Sequence, residues 1–255
     1  MLETAIRAAR EAGAVLRREY RRPHEAKSKG LRDILTEVDL AAERVAVEVV
    51  RGAYPDARIM SEETYTRWQA YDDRPAWFID PLDGTTNFFR GLPMFSVSVG
   101  VAQGGVLQCG AVYDPLLDQL FCAQRGGGAF LNETRLHVSA RATLMEALAT
   151  LDWPREQRMR ETSASFLARL APKVDAVRSR GSAALSLCAV AAGWTDVYFQ
   201  YTLGPWDVAA GALIVEEAGG KVTDLHGRPY RLDEPGWLAT NGLLHDAVLA
   251  LEPYA

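Results

Sequence analysis

Between residues 75 and 132 the chain passes through apolar runs broken by glycine turns: "PAWFID", "FSVSVGVAQGG", "VLQCGAVYDP" and "QLFCAQRGGGAFLN". The second and third runs predict a hairpin around Gly104-Gly105, and the fourth continues the meander. Upstream, residues 2–21 place Leu2, Ile6, Ala9, Gly13 and Leu16 at helical spacing until Pro23 ends the run. "KSKGLRD" reads as a polar loop. A second helix is expected from Thr36 to Arg51, with Thr36 as N-cap and Asp39 in its first turn. "ARIMSEE" and "PAWFID" are short strands that end in acids.

After residue 140 the pattern becomes helix–strand alternation. Helices are expected at 158–170, 183–192, 206–217 and 243–251, and strands near 147–151, 175–179, 196–200, 221–224 and 237–240. With no linker and no internal repeat, the chain reads as one unit, 1–255. An α+β part (1–140) is fused to an α/β part (141–255).

Composition bounds the function. The chain is 48% hydrophobic, enough to build a core without disulfides or structural metals. Net charge is −5 with both signs interspersed, which argues against nucleic acid or an anionic membrane as partner. Cys109, Cys122 and Cys188 sit among apolar neighbours and read as buried thiols in a reducing, cytoplasmic compartment. The N-terminal segment lacks the apolar core of a signal peptide, and no apolar run approaches the roughly 18 residues of a membrane span. His24, His137, His226 and His245 show no zinc spacing. Trp68, Trp153 and Trp194 read as core or interface residues, the core being preferred.

The chemistry concentrates in "WFIDPLDGTTNF", residues 77–88. In a regular strand, residues i and i+3 face opposite sides, so Asp80 and Asp83 converge only if the backbone bends between them. Pro81 helps such a bend, since its φ is fixed and it donates no ladder bond. Asp80, the Leu82 carbonyl and Asp83 then form a compact oxygen cluster, with Gly84 allowing close backbone approach. Thr85 opens a turn whose free N–H groups favour an anion. Hard oxygen donors beside an anion site suggest Mg²⁺ and phosphate. The plainer reading is a turn that caps a strand. Three further acidic stretches weigh against it: "DILTEVD" at 33–39, "SEE" at 61–63, and "GPWDVAAGALIVEEAGG" at 204–220, where Asp207 opens a helix. A covalent aspartyl phosphatase of the DxDGT type needs its acids at i, i+2; here the spacing is i, i+3.

The ordered set "DILTEVD", "SEE", "WFIDPLDGTTNF", "GAVYDPLLDQLFCAQRGGGAFLN", "RSRGSAALSLCAVAAG" and "PWDVAAGALIVEEAGG" resembles the inositol monophosphatase family of Mg²⁺-dependent, Li⁺-sensitive phosphatases over nearly the whole chain. The resemblance implies a layered α/β/α/β/α sandwich of the inositol monophosphatase and fructose-1,6-bisphosphatase type, usually a homodimer. It implies two or three Mg²⁺ held by Glu62, Asp80, the Leu82 carbonyl, Asp83 and Asp207. It carries water activation onto Asp39 and Thr85, phosphate binding onto Gly84, Thr85 and Lys27 (with Lys29 as competitor), and substrate contact onto Asp83, Gly181, Ser182, Ala183 and Gln200.

Two positions depart from the family pattern. Gln200 stands where relatives that act on inositol phosphate carry a Glu, and it replaces an acceptor-only group by an amide. Arg90 stands where relatives often carry His; it reads as a solvated rim arginine, with a cation near the phosphate entrance that would favour a bisphosphate as the alternative. The expected activity is hydrolysis of inositol 1-phosphate, or a similar sugar or polyol phosphate, by metal-activated water. Alternatives are a fructose-1,6-bisphosphatase, a 3′-phosphoadenosine 5′-phosphate phosphatase, or a non-catalytic regulatory protein on the same fold.

Overall fold

Gly100 and Gly110 face each other across a strand pair and leave a bare strip on the sheet, against which an alanine-rich helix lies. The computed structural model that reveals this contact describes residues 1–64 and 74–254; Trp68 lies outside the described residues.

The chain opens with α1 (Leu2–Glu19) and a two-stranded hairpin, β1 (Ala26–Gly30) with β2 (Asp33–Thr36). This hairpin replaces the expected polar loop. All five β1 residues are exposed, so no apolar alternation announces the strand. Thr36 then caps α2 (Glu37–Ala53). Its hydroxyl accepts from the Val38 N–H at 3.3 Å, while its own N–H donates to Asp39 Oδ2 at 2.9 Å.

Next come β3 (Arg58–Ser61), β4 (Ala76–Asp83), the short α3 (Thr85–Phe89), β5 (Ser96–Gln103), β6 (Val106–Asp114), β7 (Gln119–Gln124), β8 (Gly128–Leu131) and β9 (Thr134–Arg135). Strands β3 to β9 form a seven-stranded sheet in chain order, parallel between β3 and β4 and antiparallel elsewhere. The second half adds β10 (Leu148–Leu151), α4 (Gln157–Leu170), β11 (Ala176–Ser179), α5 (Ala183–Ala191), β12 (Val197–Gln200), α6 (Pro205–Glu217), β13 (Lys221–Thr223), β14 (Trp237–Thr240) and α7 (His245–Leu249). Its five strands assemble in the order β11-β10-β12-β14-β13.

The layers follow from which faces are apolar. Helices α1 and α2 bury Ala8, Ala12, Leu16, Ala42, Ala46 and Val50 against Trp77, Ile79, Val97 and Val99 on one face of the large sheet. The other face packs on α5 and α6. From Val208 to Val215 every α6 residue is buried, as expected of a helix held between two sheets. The outer face of the small sheet buries Leu151 and Phe199 against Phe166 and Leu170 of α4 and Val248 of α7. The result is an α/β/α/β/α sandwich. The three cysteines are free and buried. Trp153 and Trp194 are not core residues: they are 38% and 45% exposed.

Candidate active site

Parallel strands end at the same edge of a sheet, and this brings the first acids together. Ser61 ends β3 beside Ile79 of β4, and the Glu62 N–H donates to the Ile79 carbonyl at 3.0 Å. Glu62 therefore sits next to Asp80. The register then slips: Asp80 pairs with Ser98 and Asp83 with Ser96, so β4 carries one extra residue in a bulge around Pro81. Asp80 Oδ1 accepts the Leu82 N–H at 3.0 Å, which holds the bend and leaves the Leu82 carbonyl out of the ladder. Gly84 follows at φ +99°, where a Cβ would stand 2.9 Å from the Met94 carbonyl and 3.1 Å from that of Gly181.

Asp207 arrives from the first turn of α6. One of its oxygens caps that helix, accepting the Gly204 N–H at 2.6 Å. Helix capping and membership of the acid cluster coexist on this one carboxylate. An oxygen of each of Glu62, Asp80 and Asp207 lies within 4.8 Å of the others. At that separation two carboxylates repel by roughly 3 kcal/mol at an effective dielectric of 20. Burial, followed by the charge of Glu62 and the neighbouring aspartates, pushes both Asp80 and Asp207 well above the usual carboxylate range. The site calls for cationic compensation.

Asp83 is held differently. Its Oδ1 accepts from Ala183 N–H at 3.0 Å. Its Oδ2 accepts from Ala184 N–H at 2.9 Å, from Ser96 Oγ at 3.3 Å and from the Ser182 hydroxyl. The carboxylate thus seals the N-terminus of α5, and Oδ1 keeps a lone pair for a cation. Burial raises its pKa to about 6 against the pull of these donors. Ser182 is buried behind Asp83, whereas Gly181, Ala183 and Gln200 line the cavity.

Thr85 Oγ1 lies 3.0 Å from Asp39 Oδ1 and 3.1 Å from the Leu82 carbonyl. Its single hydrogen serves one of them at a time. Asp39 is 1% exposed, its other oxygen is bound by Thr36, and burial lifts its pKa. Lys29, rather than Lys27, meets the acids: its Nζ stands 3.2 Å from Glu62 and 2.9 Å from Glu63. Burial opposes its charge, but Glu62, Glu63 and Asp33 outweigh that and raise its pKa. Lys27 is exposed on β1 and stands outside the cavity lining.

Glu62, Asp80, Leu82, Asp83, Gly84, Thr85 and Asp207 line a cavity of about 430 Å³, with Asp39 and Lys29 behind its wall. Its wall includes two features the sequence left unread. Asp152 binds the Gly181 N–H at 2.6 Å and the Tyr198 hydroxyl at 3.2 Å; burial raises its pKa to about 6. Arg155 reaches Asp33 at 2.8 Å. "LDWPR" carries no local pattern that marks either residue. Arg90 is exposed and stands outside the lining.

Residues 1–252 match the inositol monophosphatase family. The chain belongs to that family. Members similar to this chain include "Nus factor SuhB" of Pasteurella multocida, 44% identical over 89% of this chain and 86% of that protein. "Inositol monophosphatase 2" of Solanum lycopersicum is 38% identical over 97% of this chain and 96% of its own length. Among solved inositol monophosphatase structures, that of Thermotoga maritima superposes with a TM-score of 0.90 at 36% identity, covering 98% of this chain and 95% of the other. The extragenic suppressor protein suhB of Bartonella henselae superposes with a TM-score of 0.92 at 34% identity, covering 98% and 96%.

Proposed function

We propose that this member of the inositol monophosphatase family is a Mg²⁺-dependent phosphomonoesterase acting on inositol 1-phosphate or a similar small polyol phosphate. The convergence of Glu62, Asp80 and Asp207 within 4.8 Å, beside the Asp39–Thr85 pair, carries this reading. The donor set fits magnesium: carboxylates from β4, α6 and the residue after β3, with the Leu82 carbonyl and Asp83 Oδ1 adjoining, are all hard oxygens. Bound Mg²⁺ supplies charge neutralisation for the phosphate and a lowered pKa for water.

The chain's own residues do the rest. When Thr85 donates to Asp39, its lone pairs face the cavity and accept a hydrogen from an incoming water. That water's oxygen attacks phosphorus, and its proton passes toward the Thr85–Asp39 pair. Burial lifts the pKa of Asp39 and so makes it a stronger base than a solvent-exposed carboxylate. The P–O ester bond breaks, and the alkoxide leaves with a proton from solvent. First-turn amides of α3, after Gly84, are available to the phosphate oxygens. Lys29, like Lys27, stands outside the cavity lining; it pairs with Glu62 and Glu63 and so acts on the acid cluster rather than on the phosphate.

The test is Mg²⁺-dependent phosphate release from inositol 1-phosphate by wild type, Thr85→Val and Asp39→Asn. Losses of about 10²–10⁴ in kcat are expected for both variants. Wild-type rates in either would refute the assigned base. The homodimer reading is supported by exposed Leu117 (65%) and Trp194 (45%), which line one cleft with Pro93, Met94, Phe121 and Leu185. Cytoplasmic location and lithium inhibition belong to the same proposal. Among the described residues no helix is long and apolar enough to cross a membrane. The relatives named Nus factor favour a second reading, a regulatory role on the same fold.

A further inference from the structure

The segment that holds Asp83 hangs from one peptide unit, the bond between Arg180 and Gly181. The Arg180 carbonyl accepts from Asn87 Nδ2 at 2.8 Å, and the Gly181 N–H donates to Asp152 Oδ1 at 2.6 Å. The bond is trans, so these two groups point to opposite sides of it. Side chains of two distant elements therefore grip the same plane from both sides: Asn87 in α3, and Asp152 directly after β10. Asn87 is 8% exposed, and its NH₂ also donates to the Met94 carbonyl at 2.7 Å. Both hydrogens of that amide are committed to backbone carbonyls. The other Asp152 oxygen is anchored by the Tyr198 hydroxyl of β12 at 3.2 Å.

Without that grip the joint is soft. Gly181 sits at φ +74°, and a glycine lets the adjoining peptide plane rotate at little steric cost. Asn87 packs directly on it: a Cβ at Gly181 would stand 2.8 Å from Asn87 Nδ2. The donors to Asp83 follow at once in the chain, the Ser182 hydroxyl and then the N–H groups of Ala183 and Ala184. The Gly181 carbonyl also abuts Gly84, the residue between Asp83 and Thr85. Rotation of the 180–181 plane would thus carry away the donors that orient Asp83 and the backbone that backs Gly84.

We propose that Asp152 and Asn87 are positioning residues: together they lock the Arg180–Gly181 peptide, and through it they fix Asp83 for cation binding. Neither has to touch the cation or the reacting phosphate, since the Asp152 oxygens are turned to Gly181 and Tyr198 and the Asn87 amide to two carbonyls. The inference rests on the phosphatase reading and deepens it by naming what sets the geometry of one of its ligands.

Alanine at either position tests it. D152A and N87A should each raise the Mg²⁺ Kd, read by calorimetry, and lower kcat for inositol 1-phosphate, by about 10–100-fold, as expected when a group that orients a metal ligand is lost. D152N keeps an acceptor for the Gly181 N–H while removing the charge, and should stay near wild type in both. Because the two side chains act on one peptide, the D152A/N87A double variant should lose little more than either single one. Amide exchange at residues 181–184 should quicken in D152A and N87A and stay slow in D152N, a readout that needs neither metal nor ester. A merely structural role would lower urea stability with Mg²⁺ affinity and exchange at 181–184 unchanged, and that result overturns the proposal. So do additive losses in the double variant, or a D152N as impaired as D152A, which would show that the charge matters rather than the bond. Where D152A fails to fold, N87A and D152N decide by the same criteria. Absence of phosphate release from wild type would overturn the phosphatase reading instead, and Mg²⁺ affinity and amide exchange then decide the clamp.

Discussion

A single methyl group at Gly110, outside the cavity lining, should damage the site through the sandwich. A Cβ there would lie 2.6 Å from the Ala210 Cα and 3.1 Å from its carbonyl oxygen, and both are backbone atoms of α6. Ordinary contact begins near 3.4 Å, so the helix must retreat by roughly 0.8 Å in an interior packed like an organic crystal. Overpacking of this kind costs about 1–3 kcal/mol, or roughly 2–4 °C of Tm per kcal/mol for a chain of this size. Asp207 lies one turn before Ala210 on the same helix and moves with it, away from Asp80 and Glu62. A displacement near 1 Å can cost about 10²-fold in rate. Gly110→Ala should therefore lower the urea midpoint, raise the Mg²⁺ concentration for half-maximal phosphate release and cut kcat/KM. Gly52→Ala is the control: nothing stands within 4 Å of its Cβ, and in α2 the change should stabilise by about 0.5–1 kcal/mol. Wild-type stability and Mg²⁺ dependence in Gly110→Ala would refute the claim that close helix–sheet contact sets the position of Asp207.

Other consequences can be measured directly. Mg²⁺ with phosphate should stabilise the fold by about 2.7 kcal/mol at a hundredfold excess over Kd and so raise Tm; a melting curve that stays put under millimolar concentrations of both contradicts a cation-binding acid cluster. Ser182→Ala removes a hydroxyl that donates to Asp83 and accepts the Leu185 N–H at 3.3 Å, so it should cost about 1–3 kcal/mol in urea unfolding and weaken Mg²⁺ binding; a neutral result would show that the α5 amides alone hold Asp83. His245 is fully buried between Thr223 (2.9 Å) and Thr240 (3.0 Å). Thr223 spends its hydrogen on the Asp224 carbonyl, so Nε2 carries the imidazole proton. Burial, aided by Lys221, lowers its pKa from 6.5 to about 4. Its stability contribution is complete above about 6.5 and is lost as pH falls toward 4. His245→Gln should flatten urea stability across that window, and an unaltered pH profile would exclude His245 as a source of acid lability.

Periodicity and turn chemistry were legible from the residues alone. Apolar spacing located α1, α2, α4, α5 and α6 to within a few residues, and Gly104-Gly105 marked the β5–β6 hairpin, because local backbone preference and amphipathicity are properties of neighbours in sequence. The Asp80-Pro81-Leu82-Asp83 bend was legible for the same reason. Residues whose role depends on what faces them across the fold were less so. Lys27 and Lys29 are alike on paper, yet only Lys29 reaches Glu62, where the β1–β2 pairing becomes irregular. Neither Asp152 nor Arg155 carries a local signature, and each gains meaning only from the cavity. Gln200 presents its NH₂ because the Thr202 N–H takes its oxygen, a bond that composition cannot announce. The chain's order thus determined which strands and helices form and which acids end them. The tertiary structure decided which charges meet, because charges far apart in sequence interact only when packing brings them within a few ångströms.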